Sequence, residues 1–168
     1  MPGDEVLDVT TFPESSGFFT KEELEIMMAS ASEIIAQISK KKWTAEKVTL
    51  AFCKLPLWHI SWCVLLDVSK MIMNLRYCQI NCVTETMFSE ALAAAKLLDE
   101  EFSRTGNLKG PLHGVPISLK DDFGIAGKAG SVGFVSWAND LATSDSSMVT
   151  LLKASVLLRT SKRMSRPL

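Results

Sequence analysis

Apolar residues recur at helical spacing near the start of the chain, at Leu24, Met27, Met28, Ala31, Ile35 and Ile38, with charged residues between them. Such a stripe predicts an amphipathic helix with one face on a core. Thr20 and Glu23 mark its beginning: the threonine oxygen accepts from the third amide while the glutamate reaches back to the cap, so one helix is expected from Thr20 to about Lys40. Beyond Trp43, Thr44 stands as a second N-cap with Glu46 in the first turn, leading into Val48, Ala51 and Phe52. A third helix is predicted from near Thr84 to about Arg104, with Phe88, Ala91, Leu92, Ala95, Leu98 and Phe102 on one face and Gly106 as its stop. Asp145 is expected to cap a fourth from Ser146 to about Ala154, before a buried strand at Val156 to Leu158.

Between the third and fourth helices the pattern changes. Val115 to Leu119 is a short apolar run interrupted by Ser118, with Gly110, Pro111, Gly114 and Pro116 fixing turns before it. This reads as a buried strand, and strand, helix, strand in sequence implies an α/β fold with parallel pairing. The sheet looks unfinished, because such an arrangement needs more strands than the pattern supplies.

Lys120 follows the strand directly. A lysine in a mostly desolvated pocket gives up its charge more easily than one in water, so it can act as a general base for a serine hydroxyl. Alternation along the strand puts Ser118 on the same face, where it either orients the lysine or satisfies a strand hydrogen bond. His113 reads as a loop residue shaping the pocket wall, and Asp121 as a turn or supporting residue. A carboxylate paired with Lys120, whether Asp121 or Asp122, would oppose its role as a base. Ser131, Ser136, Ser144, Ser146 and Ser147 follow, but none stands in a glycine-flanked turn able to offer a hydroxyl together with free backbone amides.

At 168 residues and 47% hydrophobic the chain has the material for a core, and one domain over 1–168 is the default. A net charge of -1 gives no general reason to expect nucleic acid as a partner. The start of the chain carries Asp4, Glu5, Asp8 and Glu14 without the basic and apolar regions of a leader, so a cytoplasmic location is expected. In a reducing compartment Cys53, Cys63, Cys78 and Cys82 remain thiols. Together with His59 they form no usual zinc spacing, so no metal site is expected there. The apolar stretch ending at Asp67 is too short to span a bilayer, although an interfacial helix there stays open.

Gly110 to Asp122, reading G-P-L-H-G-V-P-I-S-L-K-D-D, resembles the lysine motif of the amidase signature hydrolases. Trp43 to Val48, Ala51 to Lys54, Asn81 to Glu85, Gly124 to Gly133 and Val135 to Ala138 are similar to the fungal acetamidase-like branch of that family. The resemblance covers about 20–54 and 81–158. It implies an α/β/α domain with a twisted mixed sheet, represented here by amino-terminal helices and the first strands. It also implies hydrolysis of small amides by a serine, cis-serine and lysine triad, without cofactor or metal. Lys120 matches the lysine, with Gly114, His113, Ser118 and Asp121 around it; both serines would fall beyond Leu168, so the chain is expected to be inactive alone.

Two segments depart from the family pattern. Residues 55–80 are apolar and aromatic where a surface insertion should be polar, which points to a retained intron or misplaced exon boundary. Residues 159–168 carry Arg159, Lys162, Arg163 and Arg166 where the family continues through a polar turn, as a frame change near Ser155 or Arg159 would produce; a solvated, frayed end is expected. A second class of function is a non-catalytic interaction protein. It would use an exposed sheet edge and the apolar insertion for self-association or for docking on another surface.

Overall fold

In the computed structural model, which describes residues 14, 17–54, 83–155 and 158–163, two helices share the amino-terminal stripe: α1 (Lys21–Met28) and α2 (Ala31–Ser39). Thr20 caps α1 as expected, its Oγ1 accepting from the Glu23 amide at 3.2 Å while Glu23 Oε2 accepts from the Thr20 amide at 2.9 Å. A second reciprocal box follows at once. The Glu33 amide donates to Ser30 Oγ at 3.3 Å and the Ser30 amide to Glu33 Oε2 at 2.7 Å, with Ala29 and Ser30 both extended. The expected single helix to Lys40 is thereby corrected: Ser30 and Glu33 repeat the spacing of Thr20 and Glu23, and a cap residue in extended backbone interrupts the helix before it. The faces change with it, for Ile26, Ile34 and Ile38 are buried while Met28 is 81% exposed.

Helix α3 (residues 45–54) begins at Thr44, whose Oγ1 accepts from the Lys47 amide at 3.1 Å. A distant residue completes this cap. The Asp99 carboxylate accepts from the amides of Ala45 at 2.7 Å and Glu46 at 2.9 Å, so an anion satisfies two orphan donors at the positive end of the helix. Ile26, Ile34, Ile38, Trp43, Val48, Ala51 and Val115 form one apolar cluster, which binds the first three helices to the residue preceding the lysine strand.

Val83–Thr86 is a strand, β1, and α4 runs from Phe88–Thr105, so Thr84 does not begin the third helix. Three of these four residues are β-branched, and they pair with the last strand instead. From Phe88 the prediction holds: Ala91, Ala95, Leu98 and Phe102 are buried, and Gly106 ends the helix at φ 70.

Strand β2 (Pro116–Lys120), α5 (Ser147–Ala154) and β3 (Leu158–Arg163) complete the described fold. The sheet order is β1-β3-β2, with β3 parallel to β2 and antiparallel to β1. This is the parallel crossover expected from the pattern, within a mixed sheet. The frayed basic end is corrected, because Arg159, Lys162 and Arg163 lie in the central strand; a ladder is built from backbone groups, which polar side chains do not remove. Leu158 opens that strand, and Arg166 and residues 55–80 lie outside the described residues.

Candidate active site at the carboxyl end of strand β2

The turn before β2 is closed by local bonds: the His113 amide donates to the Gly110 carbonyl at 3.2 Å and the Val115 amide to the Leu112 carbonyl at 3.1 Å. Gly114 adopts φ 75 there, hard against α2 and α3. β2 then pairs with β3 from Pro116 with Leu158 to Lys120 with Arg163, its register shifting between Ile117 and Ser118. Leu119 is buried in a cluster with Met87, Ile125 and Val149, with Ser118 half-buried and Lys120 exposed on either side of it. Lys120 thus stands at the carboxyl end of a parallel strand, the side on which open α/β sheets take their ligands.

Around this lysine two carboxylates divide their work. Lys120 Nζ lies 3.0 Å from Asp122 Oδ2, with side chains 52% and 42% exposed. The expectation of a mostly desolvated lysine is thereby corrected: among the described residues nothing covers the strand end, and the carboxylate pairing that favours the charged amine is present. Asp121 is buried and faces the following loop, accepting from the Val132 amide at 2.7 Å and from Ser131 Oγ at 3.1 Å. That loop doubles back on itself, the Gly127 amide donating to the Ala142 carbonyl at 2.8 Å and the Ala142 amide to the Lys128 carbonyl at 3.0 Å. Lys128 ties it to β1 through Glu85 at 2.9 Å and to the start of α4 through Glu90 at 3.3 Å, and the Glu85 carboxylate raises its pKa above the ordinary lysine value.

His113 does not line this region. It is fully buried beside Phe102, ring centroids 5.8 Å apart, and its Nδ1 accepts from the Lys109 amide at 3.1 Å. The proton therefore sits on Nε2, which is buried without a partner among the described residues. Burial lowers its pKa below the ordinary histidine value; Asp99 and Glu101 oppose that shift and Lys109 adds to it. The unfolded chain binds a proton below about pH 6.5 while the folded chain resists it, so stability should fall as pH drops through and below that value. Urea unfolding between pH 7 and 5 checks this: wild type should lose stability more steeply than His113→Asn, and parallel curves would refute the assignment.

The serines after the lysine are dispersed. Ser131 serves Asp121, Ser136 is exposed in the short 3-10 turn Val135–Trp137, and Ser144 and Ser147 are exposed. Asp145 is not the cap of α5, and that expectation is corrected. Ser146 holds the cap position without a side-chain bond, while Asp145 accepts from the Ala126 amide at 3.0 Å and pairs with Lys153. The longer link between loop and helix takes the carboxylate away from the nearby amides.

Cys53 is a buried free thiol whose pKa burial pushes up to about 11. His59, Cys63, Cys78 and Cys82 lie outside the described residues, and among the described residues no cluster could hold a metal and no helix is long and apolar enough to cross a membrane. A charged surface cleft lined by Glu46, Lys96, Asp99, Glu100 and Arg104 contains none of the site residues. The clasp of Asp121 on Ser131 and Val132 was missed in the sequence, where no motif links residues ten or eleven apart; the distant cap by Asp99 left no signal either.

The chain is similar in sequence and fold to known proteins. The amidase family model, described as Amidase, matches residues 74–159, a span that contains β1, β2 with Lys120, and α5, and that ends as β3 begins. Amidase kk1C of Curvularia clavata is 42% identical over 90% of this chain and 25% of its own length, and the acetamidase of Emericella nidulans is 35% identical over 89% and 24%. Among solved structures, fatty acid amide hydrolase is 25% identical with a TM-score of 0.72, over 93% of this chain and 24% of that one. The chain thus spans about a quarter of the length of these relatives. With more than half of its residues matched by the family model, and with the lysine strand lying inside the matched span, the chain belongs to the amidase family.

Proposed function

We propose that this chain carries the base-bearing part of an amidase that hydrolyses small amides to a carboxylic acid and ammonia or an amine, with Lys120 as the base. One observation carries the reading: the lysine of the family-matched segment stands at the carboxyl end of a parallel strand, bounded by a turn and a loop that are both tied down. The family resemblance supplies the rest. A neutral Lys120 takes a proton, through a second serine, from the serine hydroxyl that attacks the amide carbon; it returns that proton to the departing amine, and water then releases the acid from the acyl-enzyme. No cofactor or metal enters these steps. Ser118 and Gly114 are read as supports of the lysine strand, with Asp121 in the loop behind it.

By the resemblance, the nucleophilic serine and its relay would come from a glycine-rich loop that none of Ser131, Ser136, Ser144, Ser146 and Ser147 matches, so we expect these 168 residues alone to release no acid from an amide. The proposed domain is interrupted at 55–80, as a retained intron or exon error, and its product is placed in the cytoplasm with no nucleic-acid partner. Sequencing the message from codon 54 to codon 81 and past codon 168 tests this. The expected message omits most of 55–80 and continues in frame to a glycine- and serine-rich loop; a clean message encoding Trp58 to Tyr77 and ending at Leu168 would overturn it.

The second reading is an interaction protein derived from an amidase. The outer edge of β1, which pairs with no second strand among the described residues, favours it, since exposed strand edges promote self-association. Concentration-independent monomers in sedimentation would remove its support.

A further inference from the structure

Val132 is a β-branched residue at φ 49, a left-handed conformation that such side chains strongly disfavour. Surrounding structure must hold it there, and what holds it is visible. Its amide donates at 2.7 Å to Asp121, the residue next to Lys120, and the preceding Ser131 hydroxyl donates to the same carboxylate oxygen at 3.1 Å. Asp121 is only 2% exposed, a costly place for a carboxylate unless hydrogen bonds compensate it. Backbone closes the other side, for a Cβ on Gly130 would lie 3.4 Å from the Asp121 carbonyl. Strain of this kind collects at functional sites, where the fold over-determines a local geometry.

From these observations we infer that Asp121 is a positioning residue for Lys120, fixing the end of β2 by clasping the Ser131–Val132 turn so that the lysine amine is presented outward from a rigid strand end. The alternation supports this: Asp121 turns inward while Lys120 and Asp122 turn outward and pair at 3.0 Å. The bonds to Ser131 and Val132 direct the Asp121 carboxylate into the loop. It acts through the backbone that both residues share and through the turn it holds. The inference deepens the reading of Lys120 as the base, and it is tested by the lysine's own chemistry rather than by turnover.

The test is residue-resolved acetylation of the 168-residue chain with acetic anhydride across pH 7 to 10, read by mass spectrometry for Lys120 against Lys96 and Lys153. Asp121→Asn should speed modification of Lys120 at pH 8 about threefold or more by loosening its pairing with Asp122, and Asp121→Glu should restore part of the wild-type rate. Ser131→Ala, which removes one bond to Asp121 without changing charge, should move Lys120 in the same direction by less. An unchanged Lys120 rate in both Asp121→Asn and Ser131→Ala would overturn the inference. So would a Ser131→Ala variant matching wild type beside a faster Asp121→Asn, which would show only a through-space charge effect. Equal acceleration of all three lysines would mean general loosening and overturn it too. Failure of Lys120 as the amidase base would instead appear as turnover surviving its removal, a result independent of these rates.

Discussion

Gly114→Ala is expected to destabilise the fold by about 2 to 5 kcal/mol, the sum of a left-handed backbone penalty of roughly 1 to 2 and an overpacking penalty of roughly 1 to 3. The glycine sits at φ 75, and an added Cβ would lie 2.9 Å from both Ala45 Cβ and Ile38 Cδ1 and 3.4 Å from Ala45 Cα. Little can yield. Ala45 is the first residue of α3, held by Asp99, and Ile38 is 1% exposed in the main apolar cluster. Gly127 provides the control, since its φ is also 75 but nothing lies within 4 Å of an added Cβ. Gly127→Ala should incur only the backbone penalty. Urea unfolding of both variants measures the difference, and equal losses would show that the turn before β2 is not packed as described.

The first-order features of this fold were legible because they depend on neighbours in sequence. The capping box at Thr20, the cap at Thr44, the buried face of α4 and its stop at Gly106 all follow from residues within a few positions of one another. The break at Ala29 was equally local, and the Ser30 and Glu33 pair carried its signal; the continuous apolar stripe masked it. Strands were harder. Val83–Thr86 and Leu158–Arg163 have no alternation of apolar and polar residues strong enough to announce them, and they exist because each finds a partner far away in sequence. The same division runs through the site. Lys120 was visible from the turn residues and apolar run before it, whereas the separate roles of Asp121 and Asp122 depend on which way each side chain leaves the strand end. His113 shows the limit from the other direction, for a histidine in a glycine- and proline-rich loop gave no hint of complete burial against Phe102.

In the amidase proposed above, Lys120→Ala is expected to lower amide turnover by about 10²- to 10⁴-fold, the usual contribution of a positioned acid–base group. The loss should fall mainly on kcat, since the lysine acts on protons in flight and leaves substrate binding largely to other residues. Lys120→Arg should be nearly as damaging although it keeps the charge and much of the length, because a guanidinium does not release its proton at working pH. Stability should change little in either variant, as the side chain is half-exposed and its ion pair with Asp122 is of the kind that contributes at most about 1 kcal/mol. The decisive measurement is therefore release of acid from a small aliphatic amide by the proposed amidase, expressed from the full message, wild type and Lys120→Ala in parallel, each checked for folding by urea unfolding. The account predicts two well-folded proteins of which only the wild type turns over at an appreciable rate; undiminished turnover in Lys120→Ala would contradict it.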